Sequence, residues 1–196
     1  APLTHLLLTH SHYDHVLGSA ACIQKWPALM VIASEYAKKI IEKPSARAFM
    51  EEMDQNAAQE ADATPIQGLS KFLRVDLTVS DGTRILLPSA NLQALSLPGH
   101  TRCSFGFFDE EQEILLCSES VGMPVDGGKI MPTYLVSYPE TLRTIKRILS
   151  LKPKALLIPH IGLITEKNVT TFLERAIYWT EFTYDMIINA YKEGLT

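Results

Sequence analysis

Leu6-Leu7-Leu8-Thr9-His10-Ser11-His12-Tyr13-Asp14-His15 is the stretch that decides how this chain is read. An apolar run of strand-forming length ends in an H-x-H-x-D-H cluster, so imidazoles and a carboxylate emerge where a strand gives way to a turn. His10 and His12 point to one side and suit one metal ion; Asp14 and His15, displaced around the turn, suit a second. A lone histidine is most often a surface or satisfied core residue, but three with an aspartate within six positions are a ligand pattern. Imidazole with carboxylate matches zinc, iron and related transition ions, whereas calcium and magnesium prefer all-oxygen shells. Two further histidines stand where the same centre can be assembled: His100 in Leu97-Pro98-Gly99-His100-Thr101 and His160 in Ile158-Pro159-His160-Ile161-Gly162.

Outward from the cluster, the elements alternate. His5 to Thr9 reads as a buried strand, Val16 to Trp26 as a helix closed by Pro27, and Ala28 to Ala33 as a second strand, which is an α/β opening. Ser34 to Gly68 is a helical insertion split by Pro44, with Ala48, Phe49, Met53 and Ala57 as its packing stripe; beside a metal site it suits a substrate lid. From Phe72 the apolar period falls to two, and Asp81-Gly82 turns the chain back into the strand Ile85 to Leu87. Strands follow at Leu92 to Leu97, Phe105 to Phe108 and Glu113 to Cys117, then the helix Thr141 to Leu151 and the strand Ala155 to Ile158. A C-terminal helix within 166–193 repeats Phe172, Ile177, Tyr184, Ile188 and Tyr191, a stripe suited to its own domain or to a homodimer.

Composition narrows the class. A chain of 196 residues with 46% hydrophobic content buries a core as one domain, 1–196. With 18 basic against 22 acidic residues it carries no field to gather nucleic acid or an anionic membrane, so the expected partner is a small-molecule substrate. Cys22, Cys103 and Cys117 share no C-x-x-C spacing and read as reduced, buried residues of a cytoplasmic protein. No apolar run is long enough to span a bilayer.

The chain resembles the metallo-β-lactamase superfamily in its glyoxalase-II-like branch. The resemblance rests on Leu7 to Gly18 with its H-x-H-x-D-H motif, Asp81-Gly82-Thr83, Leu97-Pro98-Gly99-His100-Thr101 with Ser104 to Phe107, Leu115 to Gly122, and Leu157 to His160. It implies a four-layer αββα sandwich with metals at one edge: His10, His12 and His100 on a first ion, Asp14, His15 and a final histidine on a second, and a bridging aspartate between them. One or two transition ions are expected, zinc first, with iron or manganese as alternatives.

Three departures bear on the second ion. Glu119 stands where the family has its bridging aspartate, so bridging, one-metal binding and reorientation all stay open. His160 arrives one residue earlier than the family's last histidine, which in a strand would turn it to the opposite face, whereas in the loop at a strand end it can still reach the site. The N-terminal strands that family members carry before the first motif are missing from this chain as read, with neighbouring strands as the other way to fill the sheet. The implied reaction is hydrolysis of an ester-like bond, thioester or lactone, by metal-activated water, with Asp14 as the catalytic carboxylate that orients it. Bound metal lowers the pKa of water from about 15.7 to roughly 7. Iron-dependent oxidation on the same fold, and a weakly active binding protein with an eroded second site, are the alternatives. Cys117, two residues before Glu119, reads as packing rather than a thiolate ligand, His5 as structural, Tyr13 as exposed, and Tyr134 and Tyr138 as loop packing.

Overall fold

Parallel strand pairing begins at the first apolar run. A computed structural model describes residues 2–195, in two compact units, one up to Ser80 and one from Asp81 onward. In the first, β1 (His5–Leu7) lies parallel to β2 (Met30–Ser34), which lies parallel to β3 (Leu77–Val79). Val31 to Ser34 are all buried, as expected of a strand covered on both faces.

The stretch between β1 and β2 turns helical earlier than its apolar pattern suggests. His12 is extended (φ −67°, ψ 147°) and caps α1 (Tyr13–Val16), and α2 (Gly18–Lys25) follows through Leu17, whose backbone remains helical. The expected run from Val16 to Trp26 is therefore preceded by a turn that already contains Asp14 and His15.

Ser34 caps α3 (Glu35–Ile41) by accepting from the Ala37 amide at 3.2 Å. Pro44 opens α4 (Pro44–Glu60) from a first-turn position, where its missing N–H has no partner to lose. The buried face of α4 passes through Met50 and Ala58, not through the expected Ala48, Phe49, Met53 and Ala57. Arg47 sets this rotation by donating to the carbonyls of Ile41 (3.0 Å) and Leu73 (2.8 Å). Phe49 is left exposed, edge-on to Tyr13 at 5.9 Å.

The alternating stretch after Phe72 forms a strand only at Leu77–Val79. Upstream, the Asp76 amide donates to the Val31 carbonyl at 2.9 Å while the Asp76 carboxylate accepts from the Val31 amide at 2.9 Å and from Arg74, so one of the two ladder bonds there is made by a side chain. The turn at Gly82 (φ +79°) does not fold the chain back on β3. Instead β4 (Arg84–Leu87) pairs with β5 (Ala90–Ser96) in a second sheet.

That sheet has the order β11-β10-β7-β6-β5-β4, with β6 (Phe105–Asp109), β7 (Ile114–Leu116), β10 (Ala155–Ile158) and β11 (Gly162–Thr165). It is antiparallel except for β7 with β10. A separate hairpin joins β8 (Met123–Val125) to β9 (Lys129–Met131). Against the six-stranded sheet, α5 (Tyr138–Leu151) packs Ile145 and Ile148, and α6 (Lys167–Lys192) packs Val169, Phe172, Leu173 and Ala176 at helical spacing. Each large apolar side chain buried here contributes ~1.5–3 kcal/mol. The expected α6 stripe holds at Phe172, but Tyr191 is exposed, as are Phe182, Met186 and Ile187. No helix among the described residues is long and apolar enough to cross a membrane.

Candidate metal centre

The donors in the first unit are held by a strand end. The β1 ladder continues to Leu8, whose amide donates to the Ile32 carbonyl at 2.9 Å, and this anchors the chain two residues before His10. His10 is fully buried. Its Nε2 stands 3.1 Å from His12 Nδ1, and its ring lies 4.3 Å from that of His15. The Thr9 hydroxyl is 3.1 Å from His10 Nδ1. One turn on, His15 Nε2 faces Asp14 Oδ2 at 3.1 Å, with Asp14 sitting in the first turn of α1, where the helix dipole favours negative charge.

In the second unit a single carboxylate lies between two imidazoles. Glu119 presents Oε2 to His100 Nε2 and Oε1 to His160 Nε2, both at 3.4 Å. Glu119 and His100 are nearly buried, while His160 is 44% exposed and opens the site to solvent. These separations exceed the ~2.7–2.9 Å of a charge-assisted hydrogen bond. They match the distance between two ligands of one ion instead: donors about 2.0–2.2 Å from a tetrahedral metal stand roughly 3.3–3.6 Å apart. The donor spacing and the mixed nitrogen and oxygen chemistry therefore fit transition ions, and glutamate's extra methylene does not keep it from both histidines.

His160 reaches Glu119 because it is not in a strand. β10 ends at Ile158, and His160 occupies a left-handed turn position (φ +62°), so the expected alternation of faces does not apply. A non-glycine residue there carries backbone strain of about 1–3 kcal/mol. Glu119 likewise lies in the short 3₁₀ turn Glu119–Val121 beyond β7, so Cys117 and Glu119 do not share a strand face. Cys117 is buried in the core cluster, and burial pushes its thiol up to about 12, as fits a packing role.

Sequence reasoning missed the residues that orient these donors. The Thr133 carbonyl lies 2.7 Å from His100 Nδ1. A carbonyl only accepts, so Nδ1 carries the proton and Nε2 keeps its lone pair for a metal. The Thr133 hydroxyl donates to the Glu119 carbonyl, so one residue braces both donors. Ser120 Oγ donates to the Leu97 carbonyl at 2.6 Å and accepts from the His100 amide at 3.4 Å. Gly99 (φ +134°) is required by close approach, since a Cβ there would stand 2.1 Å from Thr141 Oγ1. Its carbonyl accepts from Val136 and Ser137, which pins the loop carrying Thr133. No local motif announces Thr133, which is 33 positions from His100.

The remaining candidates divide plainly. The Thr4 hydroxyl stands 2.9 Å from His5 Nδ1, and Tyr13 is 39% exposed. Tyr138 stacks on Tyr184 at 3.9 Å and meets Tyr134 edge-on, the packing role expected of both. Burial, then the adjacent Tyr184, raises the Tyr134 phenol above its ordinary value. Cys22 is half-buried rather than buried, while Cys103 and Cys117 are buried as expected.

Comparison with known proteins agrees with this architecture. The sequence pattern of the metallo-beta-lactamase superfamily matches residues 1–160. An uncharacterized protein, YobT of Bacillus subtilis, is 30% identical over 122 residues, 61% of this chain and 46% of that protein. The metallo-beta-lactamase fold-containing protein ST1585 of Sulfurisphaera tokodaii is 23% identical over 95% of this chain and 71% of its own length. A hydroxyacylglutathione hydrolase of Prochlorococcus marinus is 26% identical over 84% of this chain and 52% of its own. This chain thus spans about half the length of YobT and of the hydrolase. Among solved structures, ST1585 superposes with a TM-score of 0.66 at 19% identity, over 90% of this chain and 67% of that one. A di-iron-bound form of TTHA1623 gives 0.56 at 22% identity, over 84% and 73%. The mixed α/β architecture, the ordered histidine motifs and the span of the family match agree: the chain belongs to the metallo-beta-lactamase superfamily.

Proposed function

We propose that this protein is a metal-dependent hydrolase of an ester-like bond, with a thioester or lactone as the substrate class. His10, His12 and His100 would hold one transition ion and Asp14, His15 and His160 a second, with Glu119 serving either or both, zinc being the first candidate. The observation that carries the reading is Glu119, whose two oxygens face two different imidazoles at the spacing of shared coordination. When bound, the ions supply a nucleophile from water at neutral pH and Lewis acidity for a carbonyl oxygen. The chain's own part is to fix donors and move protons. His100 enters with its tautomer set by Thr133, and the Asp14 carboxylate, 40% exposed, accepts a proton and returns it to the leaving group. Tyr13 and Phe49 form an exposed aromatic edge from α1 and α4 beside the same cluster, which suits a lid over a bulky substrate.

The likeness to a hydroxyacylglutathione hydrolase supports the thioester class. The test is metal analysis of the purified protein with hydrolysis of a hydroxyacyl-glutathione thioester and an acyl lactone, before and after chelation and zinc return. Metal-dependent, zinc-restored hydrolysis supports the proposal. Stoichiometric iron with oxygen uptake and no hydrolysis replaces it with an oxidoreductase. Absence of stoichiometric metal after mild purification overturns both enzymatic readings in favour of a binding protein.

A further inference from the structure

We propose that a cavity between the β8–β9 hairpin, β11 and the first turns of α6 binds a small organic anion, a carboxylate carried on an apolar body. The cavity has a volume of about 240 Å³, and none of the seven metal-donor candidates lines it. Its floor is apolar: Ile130 and Phe172 are core residues, and Ile164 joins them from β11. Its rim carries Lys129, Arg175 and the Asn168 amide.

The charge balance of that rim points to an anion. Among the described residues, no carboxylate forms an ion pair with Arg175 or Lys129. The helical neighbours of Arg175 three and four positions away are Thr171, Phe172, Tyr178 and Trp179, none of them acidic. Lys129 rests its ammonium 5.8 Å from the Trp179 ring centroid. Arg175 also packs against the hairpin. Its guanidinium lies over Gly128, where a Cβ would stand 2.3 Å from Nη2, and Gly128 itself has φ +70°. A guanidinium packed over the Gly128 backbone, beside an ammonium and above an apolar floor, matches a carboxylate head with a hydrophobic body. Both cations are solvent-exposed, so salt weakens the head contact while the floor supplies the rest of the affinity.

The experiment is a ¹⁹F NMR titration of the full chain with 4-(trifluoromethyl)benzoate, against 4-(trifluoromethyl)benzyl alcohol as its neutral counterpart. The acid is expected to saturate and to bind about tenfold more tightly than the alcohol. Arg175→Gln is expected to remove that advantage while leaving alcohol binding and the melting temperature unchanged. Binding of the carboxylate to a metal centre is a separate possibility that His12→Ala distinguishes: loss of binding in that variant overturns the proposal, and retention supports it. Equal affinity for acid and alcohol, no saturation at millimolar ligand, or equal displacement by inorganic phosphate would each overturn it as well.

Discussion

In the unit up to Ser80, four donors lie within six consecutive residues, whereas in the unit from Asp81 onward the donors are spread over positions 100 to 160. The first group is organised by one strand end and one helical turn, and its imidazoles touch one another. The second is organised by three loops, each with its own device. A glycine at Gly99 admits close approach, a hydroxyl and carbonyl at Thr133 brace two donors, and a left-handed backbone at His160 turns the ring to Glu119. A clustered site inherits its geometry from local backbone. A distributed one depends on residues that never touch the ion, and should be more sensitive to changes outside its donors.

The largest effect expected is at the clustered group. His12→Ala removes a candidate donor and should weaken metal binding by more than the ~10–100-fold that attaches to an outer partner, with the proposed hydrolysis falling in parallel. Metal stoichiometry, competition with a chelator and circular dichroism would separate loss of the ion from loss of the fold. Unchanged stoichiometry would remove His12 from the ligand set. Next comes a test of the contrast itself. Thr133→Val deletes the hydroxyl that holds the Glu119 carbonyl and frees the loop whose carbonyl orients His100. A loss of about tenfold in metal affinity is expected, with Thr133→Ser restoring it. Thr9→Val, at the matching place beside His10, should do less, because a hydroxyl both donates and accepts and so does not set the tautomer. Equal losses for the two variants, or none for Thr133→Val, would break the comparison.

Sequence legibility follows the same divide. The H-x-H-x-D-H cluster could be read from the residues alone, because strand end, turn and donors are contiguous. His100 and His160 stood out as further candidates, but only the resemblance assigned each to an ion, and His160 lies outside the strand because β10 ends at Ile158. Period-two reasoning fails where the chain has left the sheet. It failed again before Leu77, where the Asp76 carboxylate, not a backbone carbonyl, takes the Val31 amide. The β8–β9 hairpin escaped notice because its strands have three residues each and one contains Pro124, although Asp126-Gly127-Gly128 is a turn signal. The α4 face was misplaced because Arg47, a polar residue, chooses the rotation through carbonyls supplied by Ile41 and Leu73.

The smallest effect concerns a motif that the resemblance shares but that supplies none of the candidate donors. Asp81 accepts from the Ser96 amide at 2.8 Å and takes a bidentate contact from Arg147 at 2.8 and 3.1 Å, tying the turn before β4 to α5. Burial opposes its ionisation, yet the Arg147 hydrogen bond, the Ser96 amide and the Arg147 charge together hold the carboxyl below its ordinary value. A depressed folded-state pKa adds stability that is complete above the unfolded value of about 3.9 and is lost as pH falls through the folded one. Asp81 is 52% exposed, so solvent screening limits the pair to ~0.2–1 kcal/mol. Asp81→Asn should therefore lower the denaturant midpoint slightly at pH 7, and the gap from the parent should close below pH 4. Metal affinity should stay unchanged throughout. A stability difference that persists into strong acid would place the role of Asp81 in its neutral hydrogen bonds, and a shift in metal affinity would mean that the turn before β4 reaches the distributed donors after all.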